Sequence, residues 1–240
     1  MAYFCSSDWH FGHKRMIRSG ERAFENIANH DAFIFETVRR WFETDDVLGH
    51  VPGPADTFYF LGDWGEAPWR IEREMRLLFE RTPLKKVAVL GNHDHTDQRK
   101  LIARLFDEVY AFPVYISDTV VLSHYPVAVY DSQVNVHGHL HGSCLRDPNH
   151  LNASIAVAGY EPVTQTQVED VLAGLPTWSG AFLHEPYAAD YLFVDGMPRD
   201  VVVHDDGSID LAASLRMREE SAQGDAVKGD TAQEDAAQGK

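Results

Sequence analysis

Five short stretches place carboxylate, imidazole or carboxamide groups directly after an apolar run: Asp8-Trp9-His10, Gly62-Asp63, Gly91-Asn92-His93-Asp94, His124, and His137-Gly138-His139-Leu140-His141. The third is the most telling. The run Lys86–Leu90 is short, apolar and rich in valine, which reads as a buried strand. It stops at a glycine, where the backbone can turn tightly, and the Asn and His side chains emerge together at the strand's carboxyl end. In open α/β sheets that edge binds ligands. The alternating histidines after Val136 direct two imidazoles to the same side of an extended backbone. Carboxylate, imidazole and amide oxygen suit a divalent Mn, Fe, Ni, Zn or Mg ion. There are more candidate donors than one tetrahedral ion uses. Two ions ~3.5–4 Å apart, bridged by a carboxylate and a hydroxide, would use them all. Singly, each stretch has a plain structural explanation, such as a Gly-Asp turn or an ordinary loop histidine at His124. The ordered set does not.

The elements that must hold these groups can be read from the spacing of apolar residues. Tyr3–Ser6, Phe58–Leu61 and Lys86–Leu90 are expected strands, each ending at one of the polar breaks. Helices are expected over Asp31–Glu43, around Ile71–Phe79, and around Leu101–Phe106, because apolar residues recur at helical spacing. Strand and helix therefore alternate, the pattern of an α/β sheet. After Tyr110 the texture changes to short runs, Phe112–Ile116, Thr119–Ser123, Val134–Val136 and Ile155–Ala158, which read as hairpins in a second sheet packed on the first. Thr166 and Glu169 have the form of a capping box opening a further helix. Beyond Trp178 the runs Tyr191–Val194 and Val201–Val203 look strand-like but carry no chemical cluster. From about Arg218 the chain is rich in Ala, Gln, Gly, Asp and Glu, a composition that builds no core.

Length and charge narrow the function classes. A chain of 240 residues accommodates one large domain with a sizeable core, or at most two small ones. Its formal net charge of -16 opposes binding of long nucleic acids. Two cysteines far apart, Cys5 and Cys144, argue against a disulfide framework and for a reducing compartment. The first residues lack the basic flank and apolar core of a signal peptide, and no run is long enough to span a bilayer. A cytoplasmic protein is expected, with no membrane partner.

From Asp8 to His141 the ordered series Asp-x-His, Gly-Asp, Gly-Asn-His-Asp, His, Gly-His-x-His resembles the calcineurin-like metallophosphoesterase superfamily, with no motif missing. The flanks Ser7–Lys14 and Ser123-His124-Tyr125-Pro126 are similar to a branch of small bacterial and phage phosphoesterases. The resemblance implies an α/β fold of two facing mixed β-sheets flanked by helices, with a metallophosphoesterase domain over residues 1–177. A strand-rich extension (178–217) and a disordered tail (218–240) would follow. It further implies that Asp8, His10 and His141 hold a first metal, that Asp63 bridges, and that Asn92, His124 and His139 hold a second. His93 would stabilise the transferring phosphoryl group and protonate the leaving oxygen, with Asp94 orienting it. His137 takes no role. The implied activity is dimetal-dependent phosphoester hydrolysis by a bridging hydroxide. Beside the motifs, Trp9, Phe11, Trp64 and Trp69 suggest an aromatic wall, and His13 and Lys14 suggest phosphate contacts. These favour a small, nucleotide-like phosphodiester as substrate. A phosphomonoesterase on the same site and a catalytically silent metal-binding scaffold are the alternatives.

Overall fold

Three parallel strands send alternate side chains into two different cores. In β1 (Tyr3–Ser6), Phe4 joins one apolar cluster and Cys5 the other. In β2 (Thr57–Phe60), Phe58 and Phe60 repeat the first direction, and Leu61 just beyond repeats the second. In β3 (Lys85–Val89), Ala88 and Val89 do the same. A period of two with both faces apolar gives a sheet buried on both sides. The computed structural model describes residues 2–19, 22–143, 145 and 147–175. Beyond them it describes two short strand pairs, Phe193–Val194 with Met197–Pro198 and Val202–Val203 with Ile209–Asp210. Apart from those pairs, the expected extension and tail lie outside the described residues.

Parallel β4 (Glu108–Tyr110) and antiparallel β9 (Val163–Thr164) complete the first sheet, in the order β4-β3-β2-β1-β9. On one face lie α2 (Ile27–Glu43), α3 (Glu72–Arg81) and α4 (Thr96–Leu105), covering an aromatic core that includes Phe42, Phe58, Phe60 and Phe79. The other face meets the second sheet: β5 (Val114–Tyr115), β6 (Val120–Ser123), β7 (Val134–His137) and β8 (His150–Asn152), in that order. Cys5, Leu61 and Val89 pack there against Leu122, Val136 and Leu151, with Val168 and Val171 of α5 (Gln165–Leu172) alongside. The fold is thus α/β, two mixed sheets flanked by helices. Among the described residues no helix is long and apolar enough to cross a membrane.

The second half departs from the expected hairpins. Within the second sheet only β5 and β6 pair antiparallel; β6, β7 and β8 run parallel, with no helix among the described residues of their connections. Runs of three or four residues with both faces buried, as in β6, β7 and β8, look alike in either direction. Ile155–Ala158 is not a strand but a turn, and Ile155 points into the aromatic core. The capping box is formed by Thr164 and Gln167, not Thr166 and Glu169. Both pairs have the right spacing, and the end of β9 at Thr164 selects the earlier one. Helix α2 begins at Ile27, four residues before the expected start, because the Asn26 side chain accepts from the backbone of Ala28 and Asn29. A five-residue helix, α1 (Lys14–Arg18), follows the first polar break.

Candidate metal centre

The parallel directions of β1, β2 and β3 in one sheet, and of β6 and β7 in the other, bring all five polar breaks to neighbouring carboxyl ends. Ser7 forms a bridge with Ser154, tying the first break to the chain leaving β8. Gly62, at φ +93, lets the ends of β2 and β3 touch: a Cβ on it would lie 2.6 Å from the Gly91 Cα. Six described non-glycine residues have positive φ, namely Asp8, His10, Asp63, His139, His141 and Tyr160. Five of them are among the seven residues expected to hold metal. Each such conformation costs on the order of 1–2 kcal/mol, and strain of this kind concentrates where geometry serves function.

Two groups of donors result. Asp8, His10, Asp63 and His141 each offer one atom, all within 4.8 Å of one another. The Nε2 atoms of His10 and His141 lie 3.1 Å apart, and each is 3.7 Å from Asp8 Oδ1. Donors around one ion at ~2.0–2.2 Å sit at about such separations. In the second group, Asn92 Oδ1 is 2.8 Å from His124 Nε2 and 2.9 Å from His139 Nδ1. Asp63 Oδ2 belongs to both, 3.7 Å from His10 Nε2 and 3.5 Å from His124 Nε2. It is fully buried and has no hydrogen-bond partner among the described residues. Such an orphaned carboxylate oxygen, aimed between two sets of nitrogen and oxygen donors, fits a bridging position between two divalent ions.

The electrostatics agree with that fit. Burial and the nearby Asp8 carboxylate push the Asp63 carboxyl up to about 8. Burial acts the same way on Asp8, but the His10 ring and the Ser7 hydroxyl, which donates to Oδ2 at 2.6 Å, hold it below the usual carboxylate range. The protein alone thus accommodates one negative charge here and resists the second. Burial also drives His10 well below its ordinary value, keeping the imidazole neutral, as metal ligation requires.

A family model for calcineurin-like phosphoesterase matches residues 1–214. The chain belongs to the calcineurin-like phosphoesterase family. Among solved structures, a protein of unknown function from Aquifex aeolicus, AQ665, is similar with 22% identity and a TM-score of 0.52. The match covers 71% of this chain and 98% of that one. The Pseudomonas putida nuclease MPE matches with 19% identity and a TM-score of 0.40, over 58% of this chain and 61% of its own. No curated protein matches. Members of the family hydrolyse phosphate esters, and the donor groups of this phosphoesterase supply the metal-binding character that chemistry needs.

Other expected residues sit differently. His13 is buried behind the first donor group of this phosphoesterase: its Nδ1 lies 3.1 Å from His10 Nδ1, and its Nε2 lies 3.1 Å from Glu66. This is the arrangement that fixes the tautomer and aim of a metal-binding imidazole. Lys14 is exposed at the start of α1. The His93 ring is half-buried, with its centroid 5.5 Å from that of His10 and 5.1 Å from that of His13; burial, with His141 nearby, lowers its pKa. Asp94 has no hydrogen bond to it among the described residues. Its carboxylate instead accepts from the backbone of Asp63, Trp64 and Gly91, clamping two strand ends together. The aromatic wall is also rearranged: Trp9, Phe11 and Trp64 are core residues, and only Trp69 is exposed. His137 is buried with Nδ1 on the Gly138 carbonyl.

Two supports of the centre carried no sequence signal or a weak one. Arg22, in a loop, is buried and donates to the carbonyls of Asp8 and Trp9, bracing the strained first break. Nothing in its neighbours' spacing marks it. Asn135 lies inside a buried strand and is bonded to Ser123 and to the backbone of Val121 and Val127, which fixes the segment around His124. A carboxamide in an otherwise apolar strand is the signal that could have found it.

Proposed function

We propose that this phosphoesterase hydrolyses small, nucleotide-like phosphodiesters at a two-metal centre. The observation that carries the proposal is Asp63 Oδ2, buried, unpaired, and facing both donor groups. In this reading Asp8, His10 and His141 hold a first ion, Asn92, His124 and His139 hold a second, and Asp63 is shared. The donors contain no thiolate, which suits Mn, Fe, Ni, Zn or Mg. When bound, two divalent ions neutralise phosphoryl oxygens and lower the pKa of coordinated water.

The protein's own groups do the rest. Asp8 and Asp63 supply two negative charges against four positive ones, leaving a cationic pocket for an anionic ester. His13 and Glu66 hold the His10 ring in register. His93, beside the first group, donates the proton that the leaving oxygen needs. The Arg22 guanidinium is buried and donates to the carbonyls of Asp8 and Trp9. A phosphate flanked chiefly by histidines suits a diester's single charge better than a monoester's two. A reducing, cytoplasmic setting suits the buried free thiol of Cys5.

The test strips the protein with chelator and reloads it with Mn, Ni, Mg or Zn. Specificity constants for bis(p-nitrophenyl) phosphate and p-nitrophenyl phosphate are then compared. The diester should win, and Asp63→Asn should lose metal and turnover together. A monoester preference would overturn the diester assignment, and rapid cleavage of a long oligonucleotide would overturn the size assignment. Bound metal with no turnover would leave only a silent scaffold.

A further inference from the structure

A cleft of about 420 Å³ opens beside the second donor group, with Asn92 and His124 in its wall. Its other side is organic in character: Leu90, Phe112, Pro113 and Tyr125 line it, and Arg99 stands in its lining. Phe112 is 79% exposed and belongs to neither apolar core. It sits between β4 and β5, followed by Pro113, whose ring restricts the backbone. Tyr125 is 50% exposed, and its ring lies 4.3 Å from that of His139 and 5.2 Å from that of His124, centroid to centroid. Tyr125 therefore extends the aromatic surface outward from the second donor group, and Phe112 lines the same cleft. Arg99 is tied by Nε to the Asp94 carbonyl and has no ion pair among the described residues.

We propose that this cleft seats the arm of the diester that stays on phosphorus, and that the arm is a nucleoside. The inference rests on the phosphodiesterase reading above and extends it to the substrate's second half. In hydrolysis water supplies a new P–O bond, the P–O bond to the leaving arm breaks, and that arm takes a proton. His93 lies on the His10 and His13 side, so the leaving arm is directed there. The cleft lies on the Asn92 and His124 side, so it receives the retained arm. Two exposed aromatic rings offer stacking faces to a flat base, and Arg99 offers donors to its acceptor atoms. A simple alkyl arm would use neither.

The experiment keeps the leaving group constant and varies the retained arm. The p-nitrophenyl ester of thymidine monophosphate is compared with methyl p-nitrophenyl phosphate, using the metal-loaded full chain. The nucleoside ester should have a specificity constant roughly tenfold higher, mainly through KM, a magnitude one stacking contact supplies. Phe112→Ala should reduce that ratio about tenfold, and Phe112→Trp should restore it. Calorimetric binding of thymidine monophosphate, the product that keeps the arm, should weaken in parallel in Phe112→Ala. Because Phe112 is exposed, misfolding is not expected, and elemental analysis checks the metal content. Turnover of both esters with no nucleoside preference, or a ratio indifferent to Phe112, overturns the cleft assignment alone. Failure to hydrolyse either ester with both metals bound overturns the phosphodiesterase reading and the cleft with it.

Discussion

Gly138→Ala adds one methyl group at the point where the second sheet meets the first. The φ of Gly138 lies outside the left-handed region, so alanine meets no backbone strain there; the obstacle is space. Its Cβ would fall 2.5 Å from Ser7 Oγ, 2.6 Å from Asp8 Oδ2 and 2.8 Å from Ser7 Cβ. The backbone of residue 138 cannot withdraw easily, since its N–H donates to the His124 carbonyl and its carbonyl accepts from Leu140. Asp8 must yield instead. To reach ordinary contact at 3.4 Å its Oδ2 has to retreat by about 0.8 Å, where metal coordination tolerates about 0.2 Å. Overpacking of this kind costs ~1–3 kcal/mol, and each kcal/mol lowers Tm by ~2–4 °C in a chain of this size. The fold should therefore survive while the first donor group fails.

Elemental analysis of Gly138→Ala should find about one metal per chain, and turnover of bis(p-nitrophenyl) phosphate should fall on the order of 10²-fold, the effect of a misplacement near 1 Å. Gly53→Ala is the control, because nothing lies within 4 Å of a Cβ there. Two tightly held metals and wild-type turnover in Gly138→Ala would refute the placement of Asp8 at the first ion.

His93→Ala should keep both metals and lose ~10²–10⁴-fold in turnover, with a smaller loss for esters of acidic phenols; metal depletion in this variant would show that His93 is a ligand. His13→Ala should weaken metal binding at the first group by ~10–100-fold and leave the second group's affinity alone, read by calorimetric titration of the metal-free protein; equal affinities before and after would remove His13 from the relay. His30, buried and pushed down to about 4, stays neutral in the folded protein while the unfolded chain takes up a proton below about 6.5. Stability should fall as pH drops from about 6.5 to 4, by ~1.4 kcal/mol per pH unit from this group. Urea unfolding of wild type and His30→Gln across that range checks it, and identical slopes would contradict the assignment.

The first three strands and the donor set were legible because buried parallel strands are written as unbroken apolar runs, and the breaks after them cannot be explained by packing. The side-chain directions at those breaks were not legible. Asp8 and His10 sit at φ 58 and φ 54, a conformation no periodicity rule anticipates. Trp9 between them is thereby turned away from the site, into a core with Phe58, Phe60 and Trp64, where its indole N–H donates to Ser6. An aromatic residue next to a metal motif in sequence was thus removed from it in space, and Phe112, distant in sequence, lies against the cleft instead. Asp94 shows the same limit. Adjacency to His93 suggested a pair, but three converging backbone N–H groups are stronger claimants for one buried carboxylate than a half-exposed imidazole.

These placements explain why the centre stays in shape despite what it costs. Five strained residues at about 1–2 kcal/mol each, together with a buried pair of carboxylates, would relax if the loops were free to move. They are not free. Arg22 holds the carbonyls of Asp8 and Trp9 from one side, and its charge is compatible with burial because His30 and then Asp31 complete the chain behind it. Asp94 holds Asp63 and Gly91 from the other. The braces fix the donors but leave the Asp8 and Asp63 carboxyls facing each other, so the second charge is met either by a proton on Asp63 or by bound cations. Binding them should therefore raise Tm as well as enable turnover, and a protein already at its full stability without metal would contradict that view of the site.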